Sequence, residues 1–323
     1  LRCCDYALYL GAINMQRAVD EHLLPEVVAK LKTLKLRART VVEGFLSGMH
    51  RSAYKGSSIE FAEHRPYFPG DDVRHVDWRA YAKSDRLYVK EFEEETNLRC
   101  YLLVDASASM SFGTTAMNKF EYASVVASAI AYIALRQRDS VGLVIFNERT
   151  LKYIPPRVNP FHFKTLVEAL EGVRPYGHTN LGNVIAELGE RLKRRGLVIL
   201  LSDLIEDDGS FKRALSFLRH RKHEIITFHV LDPAEIELPF DEPSIFKDME
   251  SQRVLPTDPV ALRASYKREL EMFLARCREV CSQVYADYKL IRTDEPLDKS
   301  LTEYLSWRSR RRAHITSQPF AGS

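Results

Sequence analysis

The stretch Arg99-Cys100-Tyr101-Leu102-Leu103-Val104-Asp105-Ala106-Ser107-Ala108-Ser109-Met110 carries two signals at once. Arg99–Asp105 is a continuous apolar run closed by an acid, the pattern of a strand covered on both faces and ending at the rim of a parallel sheet. Past that end, Asp105, Ser107 and Ser109 alternate at i, i+2 and i+4 as the chain enters a loop. One carboxylate and two hydroxyls are hard donors, suited to Mg²⁺ or a similar ion (Mn²⁺ or Ca²⁺) and unsuited to zinc.

Outward from this strand the rhythm is regular. Helical spacing over Lys119–Gln137 precedes a buried strand at Val141–Asn147 and a short alternating strand at Thr150–Ile154. Helical patterns cover Phe161–Glu171 and Leu181–Arg195, then come strand Gly196–Asp203, helix Phe211–Arg221 and strand Glu224–Asp232. Strands alternating with helices predict right-handed crossovers and a parallel sheet with helices on both faces, a doubly wound α/β fold. Residues 233–258 are rich in proline and read as an insertion with a small hairpin around Ile245–Val254. The alternation resumes with helix Val260–Cys281, strand Ala286–Thr293 and a terminal helix Leu297–Arg308. Upstream, Leu24, Val27, Val28, Leu31 and Leu34 give Met15–Leu46 the spacing of half-buried helix. The expected division is an extension with helices over 1–46, a β- and turn-rich lobe over 47–97, the main domain over 98–293, and a C-terminal helix with a basic tail over 294–323. Met15 reads as the natural start, and Leu1–Asn14 as an extension without function.

In open α/β sheets ligands bind outside the carboxyl ends of the strands, where strand order reverses. Two more segments bring oxygen donors to such ends. Gly177-His178-Thr179-Asn180-Leu181 opens a helix and offers the Thr179 hydroxyl, and Ser202-Asp203 closes a buried strand with a second carboxylate. Each residue alone has an ordinary alternative: Ser107 as a helix cap, Thr179 capping the helix from Leu181, Asp203 as a solvated strand end. Together, Asp105, Ser107, Ser109, Thr179 and Asp203 favour a divalent-metal site. A hard ion held by neutral hydroxyls keeps positive charge and an open position. His178 is the one candidate general base beside it, and reads better as a loop residue flanking a cap. The expectation is binding rather than turnover.

Composition narrows the classes. Lys+Arg 47 against Asp+Glu 44 leaves a net charge of +3, too little for a whole-chain polycation among 323 residues. The basic stretches Lys30–Arg39 and Arg308–Arg312 read as solvated surface. Apolar runs such as Val141–Phe146 fall far short of the ~18–20 residues of a membrane span. Five cysteines, Cys3, Cys4, Cys100, Cys277 and Cys281, are too few for a disulfide scaffold and point to a reducing, cytoplasmic setting. Cys277 and Cys281 read as two half-buried thiols. No secretory signal pattern is legible at the start. A phosphate-binding Gly-rich loop, a dinucleotide fingerprint, a His-Glu-x-x-His zinc motif and a Gly-x-Ser-x-Gly elbow are all missing from the sequence.

Asp-x-Ser-x-Ser, Gly-x-Thr-x-Leu and a strand-terminal Asp, in that order on a doubly wound pattern, resemble the metal-ion-dependent adhesion site of von Willebrand factor A domains. The resemblance implies sheet order 3-2-1-4-5-6 with the short Thr150–Ile154 strand antiparallel at the edge. It implies that Ser107 and Ser109 bind the ion directly, Thr179 directly or through water, and that Asp105 and Asp203 hold coordinated waters. Leu204 follows Asp203 where that family usually has Gly.

A second string lies just upstream: Gly56-Ser57-Ser58-Ile59-Glu60-Phe61, Arg65-Pro66-Tyr67-Phe68-Pro69-Gly70-Asp71-Asp72-Val73-Arg74, Asp77-Trp78 and Arg86–Glu93. With the Tyr285–Leu297 ending, it resembles the bacterial domain-of-unknown-function family fifty-eight, a von Willebrand A-like family, in its short branch without membrane helices. Within the string, Arg65, Arg74, Asp71, Asp72 and Asp77 read as an ion-pair network and Trp78 as core. The family resemblance implies a MoxR-type AAA+ ATPase as companion, in chaperone-like assembly or activation of another complex. The expected function is therefore a non-enzymatic protein-binding module whose metal captures a partner's Asp or Glu. A metal-dependent, phosphatase-like hydrolase and a nucleic-acid-binding protein are the alternatives.

Overall fold

The computed structural model describes residues 32–51, 64–66, 81, 88–90 and 98–307, apart from 190, 193, 206–208, 250–252, 299 and 303. Two compact units divide the chain, Ser52–Asn97 and the remainder. In the smaller unit, β1 (His64–Pro66) pairs antiparallel with β2 (Tyr88–Lys90). The rest of the 56–93 string lies outside the described residues, including Arg74, Asp71, Asp72, Asp77 and Trp78. So do Met15–Leu31, Cys3, Cys4 and the Arg308–Arg312 run.

Among the described residues, the larger unit runs α1 (Leu34–Arg51), β3 (Arg99–Asp105), α2 (Lys119–Arg136), β4 (Ser140–Phe146) and β5 (Thr150–Arg157). Next come α3 (His162–Glu171), α4 (Leu181–Leu188), β6 (Leu197–Ser202), α5 (Ser210–His220) and β7 (Glu224–Leu231). A short α6 (Pro233–Glu237), the hairpin β8 (Ser244–Lys247) and β9 (Val254–Thr257), the long α7 (Pro259–Gln283) and β10 (Asp287–Arg292) complete the series. The described residues of 298–307 are helical. Six strands form one sheet in the order β10-β7-β6-β3-β4-β5. All neighbours are parallel except β5, which runs antiparallel to β4 at the edge. Numbered from β3 without the hairpin, this is 3-2-1-4-5-6, the von Willebrand A-like order.

Alternation along β3 shows why the sequence reads as unbroken apolar runs. Cys100, Leu102 and Val104 join one core with α1, α2, α3 and the terminal helical residues, while Tyr101 and Leu103 join the other with α4, α5 and the end of α7. Both sheet faces are buried, so both parities of β3 are apolar. α2 is apolar nearly all round because α1 covers its outer face, and an Asn118–Glu121 capping box starts it.

Several boundaries differ from expectation for local reasons. β5 continues through Pro155 and Pro156 to Arg157, since an edge strand can spare those donors. α4 stops at Leu188 rather than Arg195. Gly189 follows it, and a Cβ there would come within 3.0 Å of Phe217 Cζ on α5. Residues 233–258 do contain the hairpin, but their start is no loose insertion. Asp232 is fully buried and accepts from Thr114 N (2.8 Å), Thr114 Oγ1, Ala234 N (2.9 Å) and Thr293 Oγ1 (3.1 Å).

Candidate functional site

The chain leaves β3 for β4 on one side of the sheet and later adds β6 on the other. β3 and β6 thus flank the point where strand order reverses, and the crevice above their carboxyl ends is the expected ligand position. Asp105 ends β3 and Asp203 follows β6 directly.

Backbone hydrogen bonds draw a third segment to this point. Ala106 N donates to Phe146 O (2.7 Å), Tyr176 N to Ala106 O (2.9 Å) and Ala108 N to Gly177 O (2.9 Å). Asn147 reinforces the seam, its Nδ2 donating to Tyr176 O at 2.9 Å and its carbonyl accepting from Asn180 N at 3.2 Å. The turn needs the left-handed backbone of Gly177, φ +74°. With these loops zipped together, Thr179 is carried to Asp105.

Asp105 is fully buried and is held by three elements. Its Oδ1 accepts from Ser107 N at 2.8 Å, its Oδ2 from Ser202 Oγ at 2.6 Å, and Thr179 Oγ1 reaches Oδ2 at 3.0 Å. Burial, then the charge of Asp203, pushes its carboxyl up to about 7. Ser107 Oγ and Ser109 Oγ stand 3.0 Å apart, Ser107 buried and Ser109 half-buried. The two hydroxyls are hydrogen-bonded to each other, and an octahedral ion with ligands at ~2.1 Å would place adjacent donors at a similar ~3.0 Å.

Neither helix capping by Thr179 or Ser107 nor a solvated Asp203 is what the structure shows; these side chains are tied into a hydrogen-bonded, ion-paired cluster. Asn180, not Thr179, caps α4, its side chain accepting from Asn183 N at 2.9 Å. Ser107 precedes the 3₁₀ turn Ala108–Ser111 but its side chain makes no cap bond. Asp203 is fully buried rather than solvated. Leu204, where the resembled family has Gly, adopts φ +56° with its side chain buried, a left-handed conformation that costs a non-glycine residue about 1–2 kcal/mol. All five expected residues thus gather at one rim. His178 is exposed beside them.

Sequence reasoning missed the cation of this cluster. Lys119, the first residue of α2, is fully buried, and its Nζ donates to Asp203 Oδ2 at 2.8 Å and to Glu235 Oε1 at 2.6 Å. Burial works to raise Asp203, yet the Lys119 ammonium overcomes it and holds the carboxyl below its usual range. Burial likewise opposes the charged lysine, and the two carboxylates outweigh it, moving Lys119 upward. Glu235 shares that ammonium but is moved up, burial prevailing. His229 on β7 lies nearby, its Nδ1 2.8 Å from Tyr288 Oη, and burial pushes it down to about 4. The available signal was a lysine opening an otherwise apolar helix. Among the described residues no three His, Cys, Asp or Glu side chains are grouped to hold an ion.

Residues 63–272 match the family described as "Protein of unknown function DUF58". Uncharacterized proteins of Mycobacterium bovis and Mycobacterium tuberculosis are each 30% identical over 291 residues, covering 88% of this chain and 91% of theirs. The chain belongs to the DUF58 family. Among solved structures, the DUF58 chain is similar to the conserved hypothetical protein BatB from Bacteroides thetaiotaomicron at 15% identity, with 66% of this chain and 99% of that one covered and a TM-score of 0.46. It is also similar to the SpRpn10 VWA domain at 11% identity, with 64% and 95% covered and a TM-score of 0.38. No described helix of the DUF58 chain is long and apolar enough to cross a membrane.

Proposed function

We propose that this DUF58 chain is a protein-binding module, not an enzyme, whose rim holds a divalent cation, Mg²⁺ first among candidates. Ser107, Ser109 and Thr179 would hold the ion, with Asp105 and Asp203 supplying negative charge behind them. The convergence of Ser107, Ser109 and Thr179 hydroxyls on the buried Asp105 at the strand ends carries this reading, because hard oxygen donors are what a small divalent ion takes. When bound, the ion supplies an open positive position that a partner's Asp or Glu carboxylate can fill. Asp105, gripped by donors from three elements, orients Thr179 and the backbone of Ser107 toward the same point. Tyr176 and Ile205, 49% and 45% exposed, stand on the two loops that carry Thr179 and Asp203, giving a partner apolar surface beside the carboxylate.

The partner we propose is a MoxR-type AAA+ ATPase, in chaperone-like assembly or activation of another complex, as the sequence resemblance implies. A cytoplasmic setting accords with the buried Cys100, Cys277 and Cys281. The test compares wild type with Asp105→Ala at constant Mg²⁺, measuring Mn²⁺ binding by electron paramagnetic resonance and affinity for the MoxR-type ATPase of the same organism. Loss of both in the variant supports the reading. Equal partner affinity would remove the metal bridge.

A further inference from the structure

An ammonium inside a cation site is the least expected feature of the rim. Lys119 sits at the N-terminus of α2, where the helix dipole disfavours positive charge, and its side chain has no exposed surface. A lysine so placed persists only with strong compensation, and Asp203 and Glu235 provide it at 2.8 and 2.6 Å. Glu235 is itself anchored: its Oε2 accepts from Asp232 N at 2.8 Å and its carbonyl from the Tyr266 hydroxyl on α7. The ammonium is therefore pinned from two elements to one oxygen of Asp203, the carboxylate that stands behind the serine pair.

Resting on the ion-binding reading above, we propose that Lys119 is a resident counter-cation that shares Asp203 with the divalent ion and holds the ion's affinity down. Glu235 acts in the opposite sense, drawing on the ammonium and so leaving more of Asp203's charge to the ion. Both are positioning residues that touch the site through Asp203. The site is thereby tuned to take up and release its ion instead of keeping it permanently.

Two variants with opposite expected signs test this. Mn²⁺ affinity is measured by electron paramagnetic resonance on the full chain, together with the rise in melting temperature on adding Mg²⁺. Lys119→Met is expected to bind Mn²⁺ at least tenfold tighter and to show a larger Mg²⁺-dependent rise than wild type. Glu235→Gln, which keeps the Lys119–Asp203 pair and so keeps the fold should Lys119→Met fail to fold, is expected to bind at least threefold weaker. A purely structural lysine would make Lys119→Met weaker and leave Glu235→Gln, which keeps the Lys119–Asp203 pair, unchanged. Weaker or unchanged binding in Lys119→Met, or unchanged binding in Glu235→Gln, overturns the inference while wild-type binding that is lost in Asp105→Ala still upholds the ion site. Absence of Mn²⁺ binding by wild type overturns both.

Discussion

Replacing Asp203 with asparagine removes one charge from the rim while leaving side-chain volume nearly unchanged. Both members of the Lys119–Asp203 pair are 0% exposed, so solvent cannot screen the loss. Orphaning one partner of a buried pair costs about 3–5 kcal/mol. Lys119 keeps Glu235 at 2.6 Å, whose side chain is 21% exposed, which places the variant at the lower end of that range, about 3 kcal/mol. For a unit of this size such a loss lowers the melting temperature by roughly 6–12 °C. The assay is urea unfolding followed by far-ultraviolet circular dichroism in EDTA, so that no ion masks the effect. Lys119→Met and the double variant complete a cycle, and the two losses should fall short of adding by at least about 1.5 kcal/mol, because the second change removes a charge already orphaned. A single-variant loss below about 1 kcal/mol, or losses that add within about 0.5 kcal/mol, would refute the claim that this pair holds the rim together.

Stability should also depend on pH through two opposing groups. His229, pushed down to about 4, stays neutral in the folded chain while the unfolded chain takes up a proton below about 6.5. Its contribution is complete above about 6.5, and about 3 kcal/mol is lost as pH falls to 4. Asp105, held up to about 7, binds its proton in the folded state first and stabilises as pH falls through 7, offsetting that loss. Asp105→Asn in EDTA should therefore reveal the acid-side decline, measured by denaturant unfolding at pH 7 and 4.5; a flat response would contradict the burial of a neutral His229. Gly177→Ala forces a side chain into φ +74° and sets a Cβ 3.1 Å from Asn147 Nδ2, so unfolding should show a loss of about 1–2 kcal/mol together with weakened Mn²⁺ binding. In a Cys3→Ser/Cys4→Ser background, Cys277 and Cys281, pushed up by burial to about 11 and about 12, and the buried Cys100 should resist a disulfide reagent at pH 8 until urea is added.

The doubly wound fold was legible because both faces of its sheet are buried. That requirement writes unbroken apolar runs at Arg99–Asp105, Val141–Phe146 and Leu197–Leu201, and the helices between them leave few other ways to connect parallel strands. Boundaries were less legible, since α4 stops at Gly189, where a side chain would meet Phe217 of α5, a helix distant in sequence, and Pro155 and Pro156 are tolerated because β5 lies at an edge. For the rim, short-range spacing named Asp105, Ser107 and Ser109, and loop position suggested Thr179 and Asp203.

What the sequence by itself determined, then, is the set of strands, their order of appearance and the oxygen donors at their ends, all properties of neighbours along the chain. Only the tertiary structure decided that Asn180 rather than Thr179 caps α4, that Ser202 clamps Asp105, and that Lys119 is locked between Asp203 and Glu235. Those partners lie 84 and 116 positions from the lysine. Local periodicity carries no information over such separations. The demand that a buried charge be answered acts only once the sheet has closed around it.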